Sequence, residues 1–359
     1  MEIHQVVVAV SPGDAVTNAA LELRDILRQI GPSDVFARYI DPRLAGDVLP
    51  LEAYTERYPR PNKGNVLVYH ASIGEPEVMS FLLSRNDELV LVYHNITPAE
   101  FFIPYDPMFA RLLALGRSEL ALLRTRARLA LAPSAFNAAE LRDLGYEDVR
   151  ISPLVIDHER LRRAEAHWPT LNHLQTQLDG PVLLFVGQLL PHKRPDLLLQ
   201  AYHVLVTELI PEAHLAIVGS TPLPAYHEVV QRLAEELNLS RAWLLGPVSQ
   251  EQLVAYYRAA DLLVTMSEHE GFCLPLVEAM AFDVPVIARR YAAIPETMGG
   301  AGLVLPPDAG PELVAESMAV VLEDDVLRKE LVEQGRERLA HFDALEARAT
   351  FLRHLASVL

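Results

Sequence analysis

A single cysteine, Cys273, stands in 359 residues, which excludes an intramolecular disulfide, and no Cys/His cluster has structural-zinc spacing. A disulfide scaffold is out, and a reducing compartment fits best. Lysine is nearly as scarce, since Lys63, Lys193 and Lys329 are the only three among 31 basic residues. No uninterrupted apolar stretch is long enough to span a membrane, and the start, Met1-Glu2-Ile3-His4-Gln5 before a short apolar run, lacks a signal peptide's basic region. The expected location is therefore the cytoplasm. With 17 glycines and 26 prolines the chain is poor in the residues of fibrous or disordered proteins. Positive charge is also short, at 31 basic against 48 acidic side chains, and a net charge of −17 repels phosphate backbones and anionic lipid at long range. A nucleic-acid partner is not expected.

What is present is core-forming material. Half of the residues are hydrophobic, enough for two domains of about 150 residues each. Short runs rich in Val, Ile and Leu, each followed by helical periodicity, predict strands at 5–10, 35–40, 65–70, 89–94, 129–132 and 149–152. A second set follows at 182–186, 214–218, 242–245, 262–266, 284–288 and 303–305. Two such sets predict an α/β chain with two doubly wound parallel sheets. The polar stretch 157–180 lacks strand character and reads as a linker, between a first domain at 1–165 and a second at 175–341. Residues 342–359 have the apolar spacing of a helix that buries one face, and are expected to pack back on the first domain.

The chemistry concentrates in the second half. From Asp261 to Ala281 a buried strand gives way to a polar loop, Ser267 to Gly271, and then to a helix whose first turn accommodates Pro275. Free amides at such a helix start, with the helix dipole behind them, form an anion site without a metal. Glu270 precedes that site and Glu278 lies about one turn inside the helix. Two carboxylates there are better suited to sugar hydroxyls at either end of a nucleoside diphosphate sugar than to its phosphates. The same spacing is also that of an ordinary helix start with an acidic first turn. A second strand-to-helix turn, Gly187-Gln188-Leu189-Leu190-Pro191-His192-Lys193, places one of the rare lysines at a strand end. It is either a solvated loop residue or a diphosphate clamp in the crevice where such sheets bind ligands.

Taken together, Phe-Val-Gly-x-Leu-x-x-x-Lys at 185–193 and His-Glu-Gly-Phe-Cys-Leu-Pro-Leu-Val-Glu-Ala-Met-Ala from His269 resemble family 4 of the retaining glycosyltransferases, which have the GT-B fold. The resemblance is close over about 182–307, including Pro247 and Ile294-Pro295-Glu296, and looser before that. It implies two Rossmann-like domains facing a central cleft, with the acceptor on the N-terminal side and the nucleotide sugar on the C-terminal side. It also implies a metal-independent, front-face hexosyltransferase with no cofactor beyond a UDP- or GDP-linked donor, and a carbohydrate or lipid-linked acceptor. Position by position, Lys193 neutralises the departing diphosphate, the amides of Gly271, Phe272, Cys273 and Leu274 hold it, Glu270 faces the donor sugar and Glu278 takes the ribose hydroxyls.

Two positions depart from the family pattern. Gln188 stands where arginine is usual and can donate a hydrogen bond but no charge. Cys273 stands where a smaller residue is usual, and is read as packing rather than as a nucleophile. In the first domain the resemblance places His94, at a strand end, against the donor sugar and acceptor; His70, at a similar strand end, either lines the same cleft or is simply hydrogen-bonded structure. Gly13, in the turn Ser11-Pro12-Gly13-Asp14, is either a phosphate-approaching glycine or part of a plain strand-to-helix turn. Arg111 to Arg128 reads as one helix with five arginines, a solvated face over a buried leucine stripe that allows at most weak, peripheral contact with the inner membrane face. Rival readings are a GT-B epimerase or phosphorylase, and a nucleotide-sugar-binding subunit without catalysis. The sugar, the acceptor and the oligomeric state stay open.

Overall fold

The computed structural model describes residues 2–59 and 64–359, which divide into two compact α/β units. The first comprises the described residues up to Ile103, 107–156 and 344–359, and the second residues 104–106 and 157–343.

The first unit is built on seven parallel strands: β1 (Ile3–Val10), β2 (Val35–Ile40), β3 (Leu49–Pro50), β4 (Val66–Ala71), β5 (Glu88–Tyr93), β6 (Ala127–Ala132) and β7 (Val149–Ile151). Their order is β3-β2-β1-β4-β5-β6-β7. Strands covered on both faces read as continuous apolar runs, which is why β4 is buried at all six positions. One side of this sheet packs Ile3, Val66, Val68, Val90, Leu129 and Leu131 against Leu23, Ile26 and Leu27 of helix Ala15–Leu27. Phe351 and Leu355 of the C-terminal helix Ala344–Ala356 join the same cluster. Burying each such side chain contributes about 2 kcal/mol, so this last helix is held by its apolar stripe. Arg348 adds an ion pair of 2.6 Å to Glu22.

The second unit holds β8 (Val182–Val186), β9 (His214–Val218), β10 (Ala242–Gly246), β11 (Leu262–Thr265), β12 (Val286–Arg289) and β13 (Leu303–Leu305), all parallel, in the order β10-β9-β8-β11-β12-β13. Each sheet therefore reverses its strand order once, between β1 and β4 in the first unit and between β8 and β11 in the second. Open α/β sheets bind ligands beyond the carboxyl ends of the strands at that reversal.

Three expectations need correction. The stretch 157–180 is not a plain linker: it contains helices His158–Arg163 and Trp168–Thr176, and the second unit begins at Asp157 rather than near 175. Leu171 and Leu174 are buried, and the His167 amide donates to the Glu251 carbonyl at 2.8 Å, which ties the segment to that unit. The C-terminal helix begins at Ala344, because Phe342 is buried in the second unit against Phe272, with ring centroids 5.6 Å apart. The arginines from 111 to 128 do not form one helical face. The helix is Pro107–Leu123, Arg128 lies on β6, Arg117 pairs with Glu140 at 3.2 Å, and Arg126 donates to the Arg85 carbonyl at 3.1 Å. Among the described residues, no helix is long and apolar enough to cross a membrane.

Candidate functional site

The reversal point of the second sheet collects most of the residues singled out in the sequence. At the end of β8 the chain turns through Gly187, and at the end of β9 through Gly219. Both have a φ of +155°, and a β-carbon on Gly219 would lie 1.9 Å from the Gly187 carbonyl oxygen. Only glycine permits that approach. The turn after Gly187 brings Lys193 back along it, so that a β-carbon at Gly187 would sit 3.3 Å from Lys193 Cδ.

Lys193 Nζ donates to Glu270 Oε1 at 2.6 Å, and Ser267 Oγ donates to the same oxygen at 2.8 Å. The Thr265 hydroxyl, at the end of β11, lies 3.0 Å from Ser267 Oγ. Both charged side chains are largely buried, at 16% and 11% exposure. Burial alone works against the Lys193 charge, but the Glu270 carboxylate outweighs it and holds the ammonium above its ordinary range. A charged lysine is thus fixed at the mouth of the β11 loop.

That loop ends at helix Leu274–Ala281, with Pro275 in its first turn and Cys273 at the cap in the left-handed conformation, φ 70° and ψ 69°. No side chain caps this start. The Glu270 carbonyl accepts the Ala293 amide at 3.2 Å, and Thr297 Oγ1 donates to the Phe272 carbonyl at 2.5 Å, so the loop is pinned from helix Ile294–Met298. Uncapped first-turn amides on a pinned loop suit an anion, because the helix dipole favours negative charge and no reorganisation is needed. Burial pushes the Cys273 thiol well above its usual range, with the Glu270 charge adding to it. It stays neutral and packs.

Glu278, one turn inside the helix, accepts from the Tyr257 hydroxyl at 2.6 Å. Burial raises its carboxyl, and this hydrogen bond partly offsets the effect. Tyr257 is fully buried and stacks on Phe282 at 5.3 Å. Gln188 is exposed. The nearby arginine charge belongs to Arg194, which caps helix Pro195–Val204 without a side-chain hydrogen bond at φ 51° and pairs with Asp196 at 2.9 Å and with Glu268. Glu268 in turn accepts from buried Arg289 at 3.1 Å. Arg194, Glu268, Arg289, Ser267 and Tyr257 were not assigned roles from the sequence. Of the first three only Arg289 ends a strand, and the Arg194–Glu268 and Glu268–Arg289 pairs join different elements.

The first unit is different. The Gly13 turn leads to helix Ala15–Leu27, whose start is closed by its own acid: Asp14 Oδ2 accepts the Thr17 amide at 2.8 Å and the Thr17 hydroxyl at 2.9 Å. Gly13 is exposed, with open space where a β-carbon would be. Helix Pro76–Ser84, after β4, is capped the same way by Glu75 through the Glu77 amide at 3.2 Å. His94 follows β5 directly. Its Nε2 lies 2.7 Å from His70 Nδ1, and the rings stack at 5.0 Å. Burial pushes the His94 imidazole down to about 4 and holds that of His70 well below its ordinary value. Among the described residues, no group of three or more His, Cys, Asp or Glu side chains is arranged to hold a metal ion.

Residues 170–338, which make up nearly all of the second unit, match the family model for glycosyl transferases group 1. Over that stretch the chain is similar to the glycosyl transferases group 1 family. Its sequence is 35% identical over 174 residues to a D-inositol 3-phosphate glycosyltransferase of Corynebacterium efficiens, a match covering 47% of this chain and 40% of the relative. The chain thus aligns with only two-fifths of that relative's length. Among solved structures, sucrose-phosphate synthase from Thermosynechococcus elongatus superposes with a TM-score of 0.76 at 20% identity, covering 100% of both chains. The Anabaena protein HepE, solved with UDP and glucose, gives 0.74 at 18% identity over 99% of this chain and 100% of its own. These likenesses establish the fold. It is GT-B, and the matched stretch holds Lys193, Glu270 and the uncapped helix.

Proposed function

We propose that this protein is a retaining, metal-independent glycosyltransferase that moves a sugar from a UDP- or GDP-linked donor to the hydroxyl of a carbohydrate or lipid-linked acceptor. The observation that carries the reading is the pairing of a fixed, buried ammonium with an uncapped helix start at the sheet reversal of the stretch that matches glycosyl transferases group 1. The similarity to a glycosyltransferase supports sugar transfer, and the structure solved with UDP and glucose supports a UDP-linked donor.

In this reading the amides of Gly271, Phe272, Cys273 and Leu274, at the loop end and helix start, and Lys193 act where charge grows as the diphosphate departs. Interactions that strengthen in the transition state lower the barrier. The bond from the anomeric carbon to the phosphate oxygen breaks, and a bond to the acceptor oxygen forms on the same face. The acceptor proton passes to the leaving phosphate oxygen, so no protein base is consumed. Glu270, held by Lys193 and Ser267, turns towards donor hydroxyls, and Glu278 accepts from the ribose through the oxygen that Tyr257 leaves open. His94, in the first unit, contacts the sugar and acceptor.

The exposed Gln188 favours one rival, a donor-binding protein without turnover, because only one buried cation then serves the leaving group. Calorimetry with UDP- and GDP-sugars, followed by assay of nucleoside diphosphate release with an acceptor panel, separates the two. Binding with release supports transfer, and binding without release under every acceptor supports the rival. No binding of either nucleotide class sinks both. Gln188→Arg is expected to raise donor hydrolysis or transfer, and an unchanged or lower rate would mean that another group already supplies the charge.

A further inference from the structure

The imidazole of His94 ends a chain of three polar side chains whose directions can be worked out from one fixed end. Gln5 on β1 donates its amide Nε2 to the Ala20 carbonyl at 3.0 Å. A carbonyl can only accept, so this bond settles which end of the Gln5 amide is nitrogen and leaves Oε1 facing His70 Nε2 at 2.8 Å. Oε1 can also only accept, and His70 Nε2 must therefore carry the proton. His70 is fully buried on β4, and burial keeps the ring neutral, so its Nδ1 is a bare lone pair. That lone pair faces His94 Nε2 at 2.7 Å, which must then be the donor. His94 is neutral as well, and its single proton is accounted for.

We propose that Gln5 and His70 are positioning residues that lock His94 as the Nε2–H tautomer, leaving its Nδ1 unprotonated as an acceptor for a ligand hydroxyl. The hydroxyl as ligand rests on the glycosyltransferase reading, whereas the tautomer does not. The scaffold is rigid enough for the purpose. Gln5 and His70 lie on adjacent paired strands, with Gln5 opposite Val68 and Val7 opposite His70. The His94 amide extends the β4–β5 ladder by donating to the Ala71 carbonyl at 2.9 Å. The following loop is closed by the Ile96 amide on the Tyr93 hydroxyl at 3.1 Å and by Arg117 on the Ile96 carbonyl at 2.5 Å. A histidine held this way accepts from a sugar hydroxyl and cannot donate to a phosphate or carbonyl through Nδ1, which selects hydroxyl-bearing ligands at that nitrogen.

The test is long-range 1H–15N correlation spectroscopy of the imidazoles in 15N-labelled protein at pH 7, with His94 assigned from a His94→Gln sample. The expected spectrum has protonated Nε2 and pyridine-like Nδ1 on both His70 and His94. The opposite tautomer, or a cation, on either ring overturns the proposal. In Gln5→Leu, with folding checked by the methyl spectrum, the His94 signals should move toward a tautomer mixture, and unchanged signals would remove Gln5 from the chain. If that variant does not fold, the wild-type spectrum still decides. UDP-glucose and GDP-mannose are then added at concentrations at which calorimetry shows binding. A shift of His94 Nδ1 toward the hydrogen-bonded range supports the acceptor role, and no shift with bound donor and added acceptor sugar overturns it. If neither donor binds, the glycosyltransferase reading fails while the tautomer result stands.

Discussion

The two sheets share one strand order yet treat the helix starts at their reversal points in opposite ways. In the first unit both are closed by carboxylates of the chain itself, Asp14 on the Thr17 amide and Glu75 on the Glu77 amide. In the second unit neither start has a side-chain cap, and both are entered through non-glycine residues in the left-handed conformation, Arg194 at φ 51° and Cys273 at φ 70°. A carboxylate on a helix start satisfies the amides and the dipole from within. An uncapped start leaves both for a ligand. The left-handed conformation costs roughly 1 kcal/mol or more per residue. The second unit therefore gives up local stability at the places where the first gains it, as expected if only the second holds an anion.

Four expected outcomes break or sharpen this contrast. The largest effect belongs to Lys193→Ala, which removes the ammonium and leaves Glu270 unpaired beside the anion site. Turnover should fall about 100- to 1,000-fold, as on loss of one preorganised donor. Adding Glu270→Gln should recover part of the donor affinity, measured by calorimetry over the double-mutant cycle, and strictly additive effects would mean that the pair is not coupled.

Acid should strike the first unit harder. His4, His70 and His94 there all sit below their ordinary values, each chiefly through burial. In the second unit His192 is lowered, again by burial. Between the ordinary 6.5 and about 4, the value for His94, the unfolded chain takes up protons that the folded chain refuses, so stability falls as pH drops through that window. Hydrogen exchange at pH 7 and pH 5 should show the larger loss of protection in β1, β4 and β5. Equal loss in both sheets would contradict it.

Asp14→Ala should lower the stability of the first unit by about 1 kcal/mol, the usual worth of an N-cap, and leave nucleotide affinity unchanged. Denaturant unfolding and calorimetry check the two halves of that statement. Cys273→Gly should have the smallest effect. Relief of the left-handed strain, roughly 1 kcal/mol, offsets the lost burial of the thiol, and donor binding should persist. A tenfold loss of affinity would instead give the thiol a role in shaping the loop.

Much of this was legible from the sequence for physical reasons. Strands buried on both faces read as apolar runs, so β8, Val-Leu-Leu-Phe-Val, stands out, whereas β3 is only two residues, Leu49–Pro50, and leaves no periodicity to read. The Glu270 to Glu278 segment is a local strand-loop-helix pattern and was readable as such. The partners of those residues were not. The bond from Tyr257 to Glu278, the sharing of Glu268 by Arg194 and Arg289, and the Gln5-His70-His94 chain all join distant segments, and spacing along the chain does not encode them. The boundary at Asp157 was missed because helix Trp168–Thr176 buries only Leu171 and Leu174 beneath a polar surface. Asp14 reads equally well as a cap or as part of a glycine turn until Thr17 is seen to fill its oxygen.

The contrast between the two sheets is tested most directly by an amide chemical-shift titration of 15N-labelled protein with UDP and GDP. The amides of Gly271, Phe272, Cys273 and Leu274 should move on saturation with whichever nucleotide binds, while those of Asp14 to Thr17 and Glu75 to Glu77 stay in place. Shifts centred on the capped turns of the first unit, with the start of helix Leu274–Ala281 unmoved, would contradict it.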